Sequence, residues 1–199
     1  MSACLMSPVW SATKDEAPTD GVWRIYDRSG VLTREENYKN KMLDGEVRNF
    51  FPSGALKSIT IYVQGKRQGP AKTYYANGGI ENDGAYANND WDGLFQHYAD
   101  TGELDRESYY KNGSLNGQSK WYYKDKVMKQ QATYKDGVLD GTLLAYSKDG
   151  AVTTEEMYKD GSLVSRKIYE ASAPVNVSAS APAAESKPDT KDHPKEKAK

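Results

Sequence analysis

The sequence predicts an all-β fold: an elongated, twisted, single-sheet antiparallel β-meander of six 24-residue hairpin repeats, with disordered N- and C-terminal flanks. One observation is a glycine that recurs every 24 residues, at Gly21, Gly45, Gly69, Gly93, Gly117 and Gly141. Another is a tyrosine with the same spacing, at Tyr38, Tyr62, Tyr86, Tyr110, Tyr134 and Tyr158. A fixed period in this range indicates stacked identical units. Glycine is too frequent for helices, and the apolar positions lack a helical period.

Each unit is predicted to hold two strands, and its positions are numbered here from the unit glycine as position 0. Position 5 is aromatic, position 11 is aliphatic and position 17 is always tyrosine. Glycine at position 9 accepts positive φ without cost, so pairs such as Ser29-Gly30 and Asn77-Gly78 predict tight hairpins. Lys126 replaces this glycine in the fifth unit, which predicts a different turn there. Longer loops, such as 110–117, are expected to join one unit to the next.

The side-chain pattern predicts which residues share a face. Positions 5 and 11 flank the hairpin and should face each other across strands. Positions 11 and 17 are an even number of residues apart on one strand, so they should share a face. We therefore expect a Tyr–Leu–Tyr stripe, with the six repeated tyrosines as its structural spine. Twelve strands at roughly 4.8 Å each would give a ribbon about 60 Å long.

The chain divides into three segments by composition. Residues 1–19 are predicted to be an N-terminal linker, and residues 20–170 the repeat array. Residues 171–199 are rich in Ala, Pro and Lys and have too few apolar residues to offset the entropy of ordering, so they are predicted to be disordered.

Charge and motifs exclude several function classes. With 27 basic and 28 acidic residues, the near balance predicts no nucleic-acid partner. No nucleophile elbow, P-loop, dinucleotide fingerprint or metal-protease motif is present, so we expect no catalytic residues, no cofactor and no enzyme. The only cysteine is Cys4, and with two histidines it offers too few ligands for a thiolate zinc site.

Two segments of the repeat array carry a family resemblance. The segments DGEVRNFFPSGALKSITIYVQGKRQG at 44–69 and DTGELDRESYYKNGSLNG at 100–117 resemble the MORN-repeat variant of bacterial proteins, a group that includes YwqK-type antitoxins. The resemblance implies the β-hairpin array and a scaffold that binds proteins or lies near membranes. The antitoxin label implies a protein that masks a toxin, which is an alternative function.

Aromatic side chains that vary between units are the partner-binding candidates. They are Trp23, Phe51, Tyr75, Trp91, Phe95, Trp121 and Tyr123. Those at positions 2, 4 and 6 are expected on the face opposite the stripe, where they form either an exposed protein interface or a second packing layer. Aromatic rings also stack on sugars, so a module that binds cell-wall carbohydrate such as peptidoglycan is a further alternative.

The N-terminus suggests a location in the bacterial envelope. Ser2-Ala3-Cys4 resembles the end of a lipobox, which makes Cys4 a lipidation candidate and a lipid anchor the expected membrane contact. This interpretation places the chain in the periplasm or on the outer membrane as a lipoprotein. A cytosolic protein with a chance cysteine is the alternative.

Overall fold

The structure, a computed structural model that describes residues 18–170, is one open antiparallel sheet in which the strands follow one another in chain order. The predicted hairpin meander is therefore confirmed. Its main path runs through β1 (Gly21–Tyr26), β2 (Leu32–Lys39), β3 (Met42–Phe50), β4 (Leu56–Val63), β5 (Lys66–Tyr74), β6 (Ile80–Ala87), β8 (Gly93–Tyr98), β9 (Leu104–Lys111), β10 (Ser114–Tyr122), β11 (Met128–Lys135), β12 (Val138–Tyr146), β13 (Val152–Lys159) and β14 (Ser162–Ile168). The two-residue strand β7 (Asp90–Trp91) pairs with β6 beside this path.

The described residues thus form fourteen strands rather than the predicted twelve. The first extra strand arises because β7, at the end of the third unit, is separated from β8 at the start of the fourth. The second is β14, which pairs with β13 as the first strand of a further hairpin, and no strand follows it within residues 18–170. The predicted flanks, 1–19 and 171–199, lie outside the described residues except for Pro18 and Thr19.

The tight turns lie between units, which corrects the predicted loop assignment. Segment 110–117 is not a long loop, because β9 ends at Lys111 and β10 begins at Ser114. Asn112 and Gly113 have φ values of 48° and 78°, as the two central residues of a type I′ hairpin require. The Ser-Gly and Asn-Gly pairs at position 9 instead lie in five-residue loops, such as 27–31 between β1 and β2. There only the glycine has positive φ, so a two-residue type I′ turn cannot form.

The fifth unit has a different loop, as predicted from Lys126. Lys124–Lys126 forms a 3₁₀ turn, and both Asp125 and Lys126 have a φ of 59°. The loop still closes like the others, because the backbone N–H of Tyr123 donates to the carbonyl oxygen of Val127 at 2.7 Å.

Each tight turn is bonded to the preceding unit. The backbone N–H of Gly65 donates to the carbonyl oxygen of Leu43 at 2.8 Å, and the N–H of Gln64 donates to the Asp44 carboxylate at 3.1 Å. The same side-chain contact joins Asp20 to the N–H of Asn40 at 2.9 Å. Acidic or amide residues therefore precede the unit glycines because they form hydrogen bonds with the next turn, which Asp20 and Asp44 do as acceptors and Asn116 does as a donor to Asp136. The glycines themselves form bulges, as shown by Gly45 with a φ of 111° inside β3.

A second bulge lies at each five-residue loop (called the long loops below), and it changes the predicted faces. Tyr98 pairs with Leu104 across strands, so positions 5 and 11 face each other as predicted. However, the Tyr98 hydroxyl donates to Gln96 at 3.1 Å, whereas the adjacent Phe95 contacts Tyr110 on the other side of the sheet. The predicted single Tyr–Leu–Tyr stripe is therefore wrong. The pairing register shifts between His97 and Tyr98, so β9 has one residue more than β8 over this stretch. One extra residue in a strand reverses the side of the sheet on which the following side chains lie.

The sheet has two different faces. The tyrosine face carries the tyrosines of position 17, and the charged face carries cross-strand ion pairs such as Arg24–Glu35 at 2.8 Å and Lys72–Asp83 at 2.7 Å. No second layer covers either face among the described residues, so few side chains are buried. The buried apolar residues are Val47, Ala71, Ala132 and Ala151.

A candidate interaction surface on the tyrosine face

The tyrosines of position 17 each pair with a residue at position 22 across the tight turn, as in Tyr38 with Leu43. In the middle of the array this second residue is Trp91 rather than leucine. Its ring stacks on Tyr86 with centroids 3.9 Å apart and planes inclined by 22°. On the other side of Tyr86, the Arg67 guanidinium carbon lies 4.2 Å from the ring centroid. Tyr86 is therefore held between a cation and an indole.

Four rings form one continuous group, which we call the aromatic cluster: Tyr86, Trp91, Phe95 and Tyr110. Trp91 meets Phe95 edge to face at 5.0 Å, and Phe95 meets Tyr110 edge to face at 5.8 Å. Each such contact contributes about 0.5–1.5 kcal/mol beyond the area that it buries. The cluster is the densest aromatic surface on the face, and it spans the junction of the third and fourth units.

Gly84 makes room for this cluster and was not identified from the sequence. A Cβ atom at Gly84 would lie 2.9 Å from Trp91 and 3.1 Å from Phe95. The equivalent position 15 carries side chains elsewhere, such as Thr60 and Ala132. The signal that could have revealed it is the coincidence of this single glycine with the large rings at the two neighbouring positions.

The structure separates the seven aromatic candidates into two groups, although all seven are half-buried. Trp23, Trp91, Phe95 and Trp121 lie on the tyrosine face. For Trp23, Phe95 and Trp121, the predicted placement on the face opposite the tyrosine spine is wrong, because Phe95 packs directly on Tyr110. The reason is again the bulge, which moves the tyrosines of position 5, not those of position 17, to the other side.

The other group lies at the edge formed by the long loops: Phe51, Tyr75 and Tyr123. The Tyr75 hydroxyl donates to the carbonyl oxygen of Tyr98 at 2.7 Å, and that of Tyr123 donates to Tyr146 at 3.2 Å. These two tyrosines each join their loop to the next unit. Phe51 and Tyr75 also line a groove of about 420 Å³.

At each end of the tyrosine face, a carboxylate is held by a neighbouring tyrosine and a neighbouring arginine. At the start, the Tyr38 hydroxyl donates to Glu36 at 2.8 Å, and Arg34 lies 2.6 Å from the same carboxylate. At the end, Glu156 accepts from Tyr158 at 2.7 Å and from Arg166 at 2.6 Å. These contacts, led by the tyrosine hydrogen bond, hold the pKa of Glu156 below its usual value.

Alkaline pH is expected to destabilise the array through these phenols. Burial and the hydrogen bond to Glu36 raise the pKa of Tyr38 to about 12, and burial also raises the pKa of Tyr86 and Tyr134. A raised pKa means that the folded state favours the neutral phenol, so its contribution is complete below the ordinary value of about 10 and is lost as pH rises towards 12. Urea unfolding across this range should show a steady fall in stability. Tyr38→Phe should make the fall smaller, and an unchanged pH dependence would contradict the role of this phenol.

No group of three or more His, Cys, Asp and Glu suited to a metal ion occurs within residues 18–170. The acidic segment near Asp92 is used for turn contacts, since Asp92 accepts from the N–H of Asn112 at 3.4 Å and Asn89 accepts from that of Arg67 at 2.9 Å. The described part of the chain also contains no helix long and apolar enough to cross a bilayer.

Comparison with known proteins identifies the repeat. The family model described as MORN repeat variant matches five segments, at residues 19–40, 43–64, 67–88, 91–112 and 115–136. Together they cover 110 of the 199 residues. The next segment in this series falls outside the match, yet its strands β12 and β13 pair in the same register, Gly141 with Tyr158. No curated protein matches the chain.

Proposed function

The chain belongs to the MORN repeat variant family, and on that basis we propose that it is a scaffold that binds a protein partner on its tyrosine face. MORN repeats are in general non-catalytic scaffolds that bind proteins or membranes. The observation that carries the proposal is the aromatic cluster. It places Trp91 and Phe95 on a sheet face that no second layer covers among the described residues. Large aromatic rings of this kind supply most of the free energy in protein interfaces.

The charged face is a poorer binding surface. It carries cross-strand ion pairs, among them Arg24–Glu35 and Lys72–Asp83, in which each charge is already neutralised by its partner. A partner that covered these pairs would have to remove water from both charges. This desolvation costs free energy, and the ion pair, which is already formed, does not offset the cost. Over its middle units, the tyrosine face carries rings, small polar side chains and the two arginines Arg67 and Arg106, which form no ion pair among the described residues, so covering it breaks no existing charge pair.

Affinity capture with the full chain, followed by mass spectrometry, would supply the partner for a quantitative test. Phe95→Ala and Trp121→Ala should each weaken binding of the purified partner about tenfold or more, as expected for interface aromatics. Phe51→Ala, at the loop edge, is the matched control and should leave affinity unchanged. Circular dichroism would confirm that all three variants keep the sheet. Binding that survives both face variants, or that Phe51→Ala reduces equally, would refute the choice of face.

The loop-edge group supports a second candidate, binding of a cell-wall glycan. Phe51 and Tyr75 line one groove, and Lys57 lies 5.7 Å from the Phe51 ring, so the groove combines an aromatic surface with a cation. Retention of the chain on purified peptidoglycan, lost in Phe51→Ala, would support this candidate. No retention would dismiss it.

The antitoxin role and the envelope location remain proposals with separate tests. An antitoxin requires a neighbouring toxin gene and a captured partner that is toxic when expressed alone. The lipid anchor falls on Cys4, which lies outside the described residues. Metabolic labelling with a radioactive fatty acid, absent in Cys4→Ser, would support the anchor and the envelope location.

A further inference from the structure

Two units of the tyrosine face carry an arginine at position 13, and their surroundings differ. In the first unit this arginine is Arg34, which lies 2.6 Å from the Glu36 carboxylate at position 15. Glu36 is only 7% exposed, so the charge pair is built into the face. In the fourth unit the arginine is Arg106, and position 15 is Ser108, which is 2% exposed and uncharged. Arg106 therefore occupies the place of Arg34 without the carboxylate.

No other group replaces that carboxylate. Within residues 18–170, Arg106 forms no ion pair, and its buried Nε atom has no hydrogen-bond partner. The Nε atom of Arg34 likewise makes no well-aligned hydrogen bond, but it lies 2.6 Å from a carboxylate, so the two arginines differ in the neighbouring charge. A buried donor without an acceptor raises the free energy of the free protein. Arg106 as a whole is half-buried rather than enclosed, so a carboxylate that reaches its guanidinium would supply the missing counter-charge. At the two ends of the face, Glu36 neutralises Arg34 and Glu156 neutralises Arg166. An arginine without a carboxylate partner is therefore a feature of the middle of the face.

Arg106 borders the aromatic cluster. Its guanidinium carbon lies 5.8 Å from the centroid of Phe95, and it is close enough to Tyr134 to oppose the rise in that phenol's pKa caused by burial. Arg67 lies beside Tyr86 at the other side of the cluster and also forms no ion pair among the described residues. The aromatic cluster is thus flanked by two arginines, of which Arg67 donates to the carbonyl oxygen of Asn89 at 2.8 Å.

We propose that the partner docks with an acidic segment that places a carboxylate on Arg106 and apolar atoms on the aromatic cluster. This inference rests on the proposed function and adds the chemistry of the partner. Arginine matches a carboxylate through two parallel hydrogen bonds, which gives both strength and orientation. An acidic protein segment fits better than a nucleic acid or an anionic membrane, because the formal net charge of −1 provides no broad positive field for a polyanion.

Two synthetic peptides of equal length test the chemistry directly, one alternating glutamate with tyrosine and the other lysine with tyrosine. Binding to the full chain would be followed at low salt by calorimetry and by the side-chain Nε–H signal of Arg106 in NMR. The acidic peptide should bind and shift that signal, and the lysine peptide should do neither. Equal binding of both peptides, or a signal that does not move, would overturn the proposal.

Three variants separate the role of Arg106 from charge in general. Arg106→Gln should weaken the acidic peptide about tenfold, as expected for the loss of one charge-assisted contact. Arg24→Gln removes an equal charge from the charged face and should have no such effect. Ser108→Glu keeps Arg106 but supplies the internal carboxylate seen in the first unit, so it should also weaken binding about tenfold. Thermal unfolding of each variant would confirm that it is folded, and failure of Arg106→Gln and Ser108→Glu to weaken binding would contradict the inference.

Competition identifies the class of ligand. Inorganic phosphate and vesicles of anionic lipid, each at matched charge concentration, should displace the acidic peptide poorly; equal displacement would show that any anion suffices. The captured partner distinguishes this inference from the proposed function. If Phe95→Ala abolishes its binding while Arg106→Gln leaves it unchanged, the carboxylate contact is wrong and the scaffold function stands. If neither variant matters, both fail.

Discussion

Replacing Tyr86 with alanine is expected to lower the free energy of unfolding by about 2–4 kcal/mol. The ring is held between Arg67 and Trp91, so its removal leaves a cavity and eliminates both a cation–π and a stacking contact. Units of a repeat array contact only their neighbours, so a cavity at the middle weakens the junction that joins the two halves. Urea unfolding followed by circular dichroism would measure the loss.

Tyr158→Ala is the matched control at the end of the array. Tyr158 also occupies position 17, but across its tight turn it pairs with Leu163, which is 47% exposed. We expect a clearly smaller loss than at Tyr86, because fewer atoms pack on the ring and, within the described residues, β14 is the one strand that follows it. Equal losses at the two sites would argue against stability that depends on nearest neighbours.

Gly84→Ala is expected to destabilise the protein by about 1–3 kcal/mol, although it adds only one methyl group. The new Cβ would lie 2.9 Å from Trp91, whose ring cannot retreat because it is stacked on Tyr86. The aromatic cluster must therefore open, and partner binding should fall with it. Chemical denaturation and the fluorescence of the tryptophans would report the two effects.

The same substitution should be harmless once the rings are gone. The double change Trp91→Leu and Phe95→Leu reproduces the junction of the fifth and sixth units. There Ala132 takes the place of Gly84, and leucines occupy the two positions of the rings. In that background, Gly84→Ala should be neutral or stabilising by about 0.4–1 kcal/mol, since alanine reduces the entropy of the unfolded chain. The coupling between the changes would then exceed 1 kcal/mol, as found for residues in contact. Additive effects would mean that Gly84 is needed for its backbone and not for space.

Several parts of the fold could be predicted because they depend only on the period. A glycine and a tyrosine that recur together require identical units, and units of two short strands have few ways to stack except as a meander. Pairing of Tyr98 with Leu104 followed from symmetry about the long loop. The unusual turn at Lys126 followed from the cost of positive φ in a side chain other than glycine.

The candidate surface was predicted only in part. The sequence indicated Trp91 and Phe95 as partner-binding candidates, because they vary where the spine does not. It did not indicate Gly84 or Arg106, because glycine already recurs throughout the array and an arginine in a strand indicates no particular contact. Their roles depend on which side chains lie across the strand and on the same face, and that arrangement is not encoded in spacing along the chain.

Sequence alone therefore establishes the repeat, the number of units and the order of the strands, because a 24-residue period survives any local irregularity. The assignment of side chains to faces emerges only in the folded sheet. A one-residue bulge leaves the period intact but reverses every side chain beyond it, so Tyr98 and Tyr110 lie on opposite sides. The same reversal places Arg106 beside Phe95 and away from the carboxylates of the charged face, which is why the binding chemistry of this surface had to be read from the structure.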